Sequence, residues 1–168
     1  MKTNTSADWT RLWELIKDIK YGMFTARHGD GELHSRPMTT LTPHDEKGAG
    51  VLWFFMSRSA EPVPDIEASP AVNVSYADPS RDAYVSVSGT ARLVEDPAMK
   101  KALWTPLTQA WFPGGIGDAD LALVAVSIDQ AEYWDVKTNK AVKLYEMAKA
   151  AVTGTPPSFG EHRKVRIH

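Results

Sequence analysis

Apolar residues first recur at helical spacing: Trp9, Leu12, Trp13, Ile16 and Ile19 share one face of a 3.6-residue period. Thr5 or Ser6 is placed to cap this helix, and Thr5-x-x-Asp8 has the form of a capping box. From Tyr21 the period shortens to two. Residues 21–27, 32–41 and 51–56 read as strands, parted by the Gly29-Asp30-Gly31 turn and by a polar loop over residues 43–50. Short connections between consecutive strands imply antiparallel pairing. Residues 63–68 fit one or two helical turns, closed by Ser69-Pro70, and two further strands (71–76 and 83–94) flank the turn Asp78-Pro79-Ser80-Arg81. Asp96-Pro97 marks a helix start, with Met99, Ala102, Leu103 and Leu107 as its apolar face and Pro106 set to kink or end it. Trp111-Phe112-Pro113-Gly114-Gly115 reads as an aromatic, Gly-rich loop, and residues 121–128 are apolar on both faces, as a fully buried strand requires. Residues 131–136 read as its hairpin partner or its continuation, and a last helix spans about residues 140–152.

Six or seven short strands with three helices predict a mainly β fold with flanking helices, an antiparallel barrel closed or half closed. No repeat or composition shift marks a second domain, so residues 1–153 form the domain and residues 154–168 are expected to be a mobile polar tail.

Composition removes whole classes of chemistry. The 168 residues contain no Cys, which excludes disulfides, thiolate metal sites and a Cys nucleophile. Nineteen Lys and Arg against 21 Asp and Glu leave a net charge of −2, so no overall basic field attracts nucleic acid. The longest apolar runs, 51–56 and 121–126, are six residues, far short of a membrane span, and a cytoplasmic protein without membrane partners is expected. Six Trp, in contrast, leave room for a site that stacks a planar ligand.

Nucleotide-loop, nucleophile-elbow and zinc-protease motifs are absent. Of the five His, at 28, 34, 44, 162 and 168, only His28 and His34 approach each other, across a hairpin that does not obviously provide the carboxylates of a metal site. No metal is therefore expected, and no catalytic residue can be assigned. On the second strand Arg36 shares a face with His34 and Met38, and Pro37 confines the strand to an edge or a bulge, a placement suited to aiming a guanidinium at an anion or at water. Trp53-Phe54-Phe55-Met56 runs directly into Ser57-Arg58-Ser59, an apolar platform beside phosphate-binding groups, or simply core. The Trp111-Phe112 loop would cap a ligand or a subunit interface.

These pieces occur in a fixed order. Ser35-Arg36-Pro37-Met38, Phe54-Phe55-Met56-Ser57-Arg58-Ser59, Asn73-Val74-Ser75-Tyr76-Ala77-Asp78-Pro79, Val85-Ser86-Val87-Ser88-Gly89-Thr90-Ala91, Ala110-Trp111-Phe112-Pro113-Gly114-Gly115 and Glu132-Tyr133-Trp134-Asp135 together resemble the general stress protein family of the pyridoxamine 5′-phosphate oxidase-like, FMN-binding split-barrel superfamily. The resemblance implies a split antiparallel β-barrel that forms a homodimer with flavin sites at the interface. It implies FMN as cofactor, with FAD as the alternative, held by Arg36, Pro37, Met38, Trp53, Phe54, Phe55, Ser57, Arg58, Trp111, Phe112 and Trp134. In that reading the strand 53–57 offers its backbone to the flavin, Arg36, Ser57 and Arg58 take the phosphate and ribityl chain, and Trp111 and Phe112 reach over from the second subunit, with Trp134 nearby. Family members commonly carry a Lys after the Ser-Arg segment where this chain has Ala60-Glu61-Pro62, so a modest flavin affinity is expected. A flavin-dependent oxidoreductase is one outcome, a non-catalytic flavin store or sensor a second, and an oligonucleotide- or oligosaccharide-binding barrel a third.

Overall fold

The structure, a computed structural model, describes residues 6–42, 50–136, 140–157 and 161–166. Thr5, His44, His168, residues 43–49 of the polar loop and residues 158–160 of the tail lie outside the described residues. In chain order the elements are α1 (Ser6–Ile19), β1 (Tyr21–Arg27), β2 (Leu33–Thr39), β3 (Val51–Ser57), α2 (Val63–Ala68), β4 (Ala71–Asp78), β5 (Ala83–Val94), α3 (Pro97–Leu103), α4 (Pro106–Trp111), β6 (Leu121–Asp135), α5 (Lys140–Thr153) and β7 (Glu161–Arg166).

All seven strands belong to one antiparallel sheet in the order β2-β1-β4-β5-β6-β3, with β7 also on β6. Residues 131–135 continue β6 as one long strand, so it serves two partners along one side: β3 against Leu121–Ser127 and β7 against residues 130–135. The alternation in β1, β4 and β5 turns Phe24, Val74, Tyr76, Val85 and Val87 into the barrel. α1 covers them with Leu12, Trp13, Leu15 and Ile16. It stops where Lys20 adopts φ +66° while its N–H still donates to the Ile16 carbonyl. Arg11 donates to the buried Asp135 at 2.6 Å, joining α1 to the end of β6 and raising the guanidinium pKa. Beside β6, the register of β5 shifts between Ser88 and Gly89, where a Cβ on Gly89 would stand 2.3 Å from the Ser127 carbonyl oxygen.

Three local expectations need correction. β3 is not a hairpin neighbour of β2; it crosses to β6, because both strands are apolar on both faces and must be covered on both. Pro106 neither kinks nor merely ends a helix: it opens α4, with Thr105 as the cap, so Trp111 closes a helix instead of starting a loop. Residues 161–166, assigned to the polar tail outside the domain, form β7, which pairs with β6 and buries Val165 in the main core. Along β7 exposed His162 and Lys164 alternate with half-buried Arg163 and buried Val165, which fixes the inward strand face.

The sheet does not close into a full barrel. Among the described residues one bridge links its two outer edges, Leu41 to Trp53, in which the Leu41 N–H donates to the Trp53 carbonyl at 2.9 Å. Beyond that bridge β2 and β3 part, and the gap between them holds a cavity.

Candidate functional site

β3 builds the floor of this gap by two independent alternations. Leu52, Phe54 and Met56 point into the main core, where Phe54 meets Phe24 edge to face, with ring centroids 5.4 Å apart. Trp53 and Phe55 point the other way, into a second cluster with Leu103, Leu121, Trp104 and Phe112. Phe55 packs edge-on to Trp104 and Phe112, with centroids at 5.7 and 6.5 Å. The peptide groups alternate as well. Trp53 turns its carbonyl toward Leu41, and at two-residue spacing Phe55 and Ser57 turn theirs to the same side, where no strand among the described residues pairs with them.

Over this edge lies a cavity of about 650 Å³, well within the range of small-molecule sites. β2 supplies Arg36, Pro37 and Met38, the end of α1 supplies Ile16, Lys17 and Lys20, and β3 supplies Phe55, Met56 and Ser57. α3 and α4 close the far side with Leu103, Leu107, Thr108 and Trp111, followed by Phe112. The cavity therefore joins an aromatic and aliphatic wall to three cations and an open backbone edge. Trp111 is 75% exposed at its rim.

Arg36 is not free. It donates to the backbone carbonyl and to the carboxylate of Glu61, which also lines the cavity. Pro37 sits on the edge strand in unbroken register with β1, so it needs no bulge. At the end of β3 the Ser57 hydroxyl donates to Asp120, whose other oxygen accepts the Ser59 N–H at 2.8 Å. The Arg58 N–H donates to the Asp120 carbonyl at 2.7 Å. The Ser57 hydroxyl, then the Ser59 amide, hold the Asp120 carboxyl below its usual pKa.

Of the residues expected from sequence, Arg36, Pro37, Met38, Phe55, Ser57, Trp111 and Phe112 come together around one cavity. Four others stand elsewhere. Trp53 packs in the second cluster and Phe54 is fully buried in the main core. Arg58 turns to a separate cavity and pairs with Glu95, whose carboxyl pKa it depresses. Trp134 lies near the opposite end of β6, stacked on His162 at 4.9 Å. Trp111 and Phe112 line the cavity of their own chain. Lys17 and Lys20 were missed; the signal was a basic end on an amphipathic helix, and only the tertiary fold brings it to the cavity that Arg36 lines.

Among the described residues no helix is long and apolar enough to cross a membrane. The same open sheet occurs in known proteins. A solved structure from Jannaschia sp. CCS1, described as a general stress protein 26, superposes with a TM-score of 0.74 at 26% identity, covering 96% of this chain and 99% of that one. The general stress FMN/FAD binding protein of the phytopathogen Xanthomonas citri matches with a TM-score of 0.70 at 30% identity, over 80% of this chain and 93% of its own. Among curated proteins, Protein bli-3 of Neurospora crassa is 26% identical over 163 residues, 92% of this chain and 77% of that protein. The fold is thus the split barrel of these relatives. The model of the family described as pyridoxamine 5′-phosphate oxidase like matches residues 7–158, from α1 past α5, and the chain belongs to that family.

Proposed function

We propose that this chain is a flavin-binding general stress protein that takes FMN in the cavity between β2, β3 and α4. The observation that carries the reading is the edge of β3 at Phe55 and Ser57, unpaired among the described residues and facing a cavity that also holds Arg36 and the Trp111-Phe112 wall. A flavin ring system needs a flat apolar surface, hydrogen-bonding groups along one polar edge and cations for its phosphate, and the cavity offers each. The name of the Xanthomonas citri relative supports the same reading.

In this reading the Phe55 and Ser57 peptide groups meet the polar edge of the ring, and Pro37, Met38 and Phe112 pack on it. Arg36, Lys17 and Lys20 take the phosphate. Trp53 and Phe54 act through β3, by holding its edge in place, and Arg58 and Trp134 fall outside the set. FAD is the alternative ligand, its larger tail leaving through the open rim. A second copy of the chain would cover that rim at Trp111, giving a homodimer with a site at each end of the interface.

FMN, when bound, supplies hydride and one-electron chemistry of its own. The residues of this chain bind and orient it and exclude water. Among the described residues no His lines the cavity, and the carboxylate that does, Glu61, is held by Arg36, so those residues bring no uncommitted carboxylate or imidazole acid–base group to the site. That observation favours, as a second reading, a flavin store or sensor without turnover.

Titration of the apo-protein with FMN, followed by flavin fluorescence, tests the proposal; saturable quenching is expected, and its absence at submillimolar FMN would sink it. Reduction of the bound flavin by NADH or NADPH would mark an oxidoreductase, and no reduction by either would leave the store or sensor.

A further inference from the structure

The β1–β2 turn brings two imidazoles against the segment that carries Glu61. His28 and His34 stack with centroids 4.4 Å apart and planes 13° from parallel. Both turn Nδ1 to the same carboxylate: Glu61 Oε1 lies 3.3 Å from His28, and Oε2 lies 3.6 Å from His34. Asp65 on α2 adds a buried carboxylate 3.0 Å from His28 Nδ1. Asp30 stands 3.7 Å from His34 Nε2, on the far side of that ring.

We propose that His28, His34 and Glu61 form a site for a divalent transition-metal ion such as zinc, with Asp65 beside it as a buried negative charge. The donor set, two imidazole nitrogens with carboxylate oxygens, suits such ions. Ligands on a tetrahedral zinc are roughly 3.3 Å apart, and the two Nδ1-to-Glu61 separations already approach that value. Carboxylates of Glu61, Asp65 and Asp30 lie 3.3, 3.0 and 3.7 Å from the two imidazoles, so a dication is favoured electrostatically. Asp30 is placed to accept from the second nitrogen of His34, the outer-sphere contact that orients a ligating imidazole. The rings are nearly parallel and their lone pairs do not converge, so binding turns one imidazole about its Cβ–Cγ bond. Both side chains are about one-third exposed, which leaves space for that rotation.

The hairpin supplies Asp30 and Glu32 beside His34, and the carboxylate that lies against both rings, Glu61, arrives from the segment before α2. Glu61 is also the partner of Arg36. An ion that draws charge from Glu61 leaves Arg36 more available to an anion in the cavity. This linkage rests on the FMN reading given above, whereas the metal site does not.

Calorimetric titration of the apo-protein with zinc alone tests the site. One ion per chain is expected, with affinity reduced on the order of a hundredfold in His34→Ala and Glu61→Gln and unchanged in His162→Ala, a control at the surface His162–Glu132 pair. Absence of binding at submillimolar zinc, or binding that His34→Ala and Glu61→Gln leave intact, would overturn it. FMN titration with and without zinc tests the linkage: affinity higher by on the order of tenfold supports it, and equal affinity overturns it. Failure of FMN to bind in both conditions, with zinc still bound, would reject the flavin reading and the linkage while the metal site stands.

Discussion

Arg36 and Glu61 form a two-point contact, guanidinium to backbone carbonyl and guanidinium to carboxylate, inside the cavity that the chain offers to a ligand. Both side chains are about one-third exposed, so solvent screens the pair and it contributes little to folding. Its effect falls on the ligand. An anion entering the cavity meets a cation already neutralised, and must share or displace a carboxylate.

Glu61→Gln is therefore expected to tighten FMN binding by about fivefold to tenfold, because the carboxylate is lost while a hydrogen-bonding partner for Arg36 remains. Arg36→Met should weaken binding by at least as much. Both are read from fluorescence-quenching titrations at one ionic strength. A weaker Glu61→Gln complex would mean that Glu61 positions the guanidinium and does not compete for it.

Asp120 gathers Ser57, Arg58 and Ser59 at the end of β3. Its folded pKa is below the unfolded value near 3.8, so the folded state prefers the deprotonated form. The resulting stabilisation is fully present above that unfolded value and is lost as pH falls through the folded one. Asp120→Asn should accordingly lower Tm at neutral pH, with the difference from wild type narrowing only below about pH 4. Thermal unfolding followed at stepped pH measures this, and a pH-independent difference would show that packing, not charge, is lost.

Much of the fold was legible because it is local. The alternation in β1, β4 and β5 identifies their buried faces, and Asp96-Pro97 marks the start of α3 without reference to anything distant. What was not legible depends on partners far apart in sequence. Arg36 and Arg58 look alike on the chain, each beside a hydroxyl, yet Glu61 turns one into the cavity wall and Glu95 draws the other to a separate pocket. The pairing of β3 with β6 has the same origin: two strands apolar on both faces seek each other, and no turn chemistry announces it. The resemblance to known motifs located seven residues of the cavity, while Lys17, Lys20 and the carboxylates beside His28 come together only in three dimensions.

β7 offers a test of the tail. Val165 is fully buried between polar neighbours, in the main core. Val165→Ala removes two methyl groups and should cost about 1–3 kcal/mol, and Val165→Asp, which buries an unpaired carboxylate, considerably more. Urea unfolding reads both. An unchanged midpoint in Val165→Asp would mean that residues 161–166 leave the sheet at no cost.

Leu107 and Trp111 lie one helical turn apart on α4, 46% and 75% exposed, at the rim of the cavity. Large apolar groups exposed beside a ligand site suit the proposed second copy at the rim. Trp111→Ala should leave Tm of dilute protein nearly unchanged, since little buried area is lost. If a second copy covers the rim, the same substitution should weaken self-association and reduce FMN affinity together, by about tenfold or more for an aromatic anchor. Sedimentation equilibrium measures the first and flavin titration the second. A loss of flavin affinity with association unchanged would place Trp111 over the ligand of its own chain, and no change in either would remove it from the site.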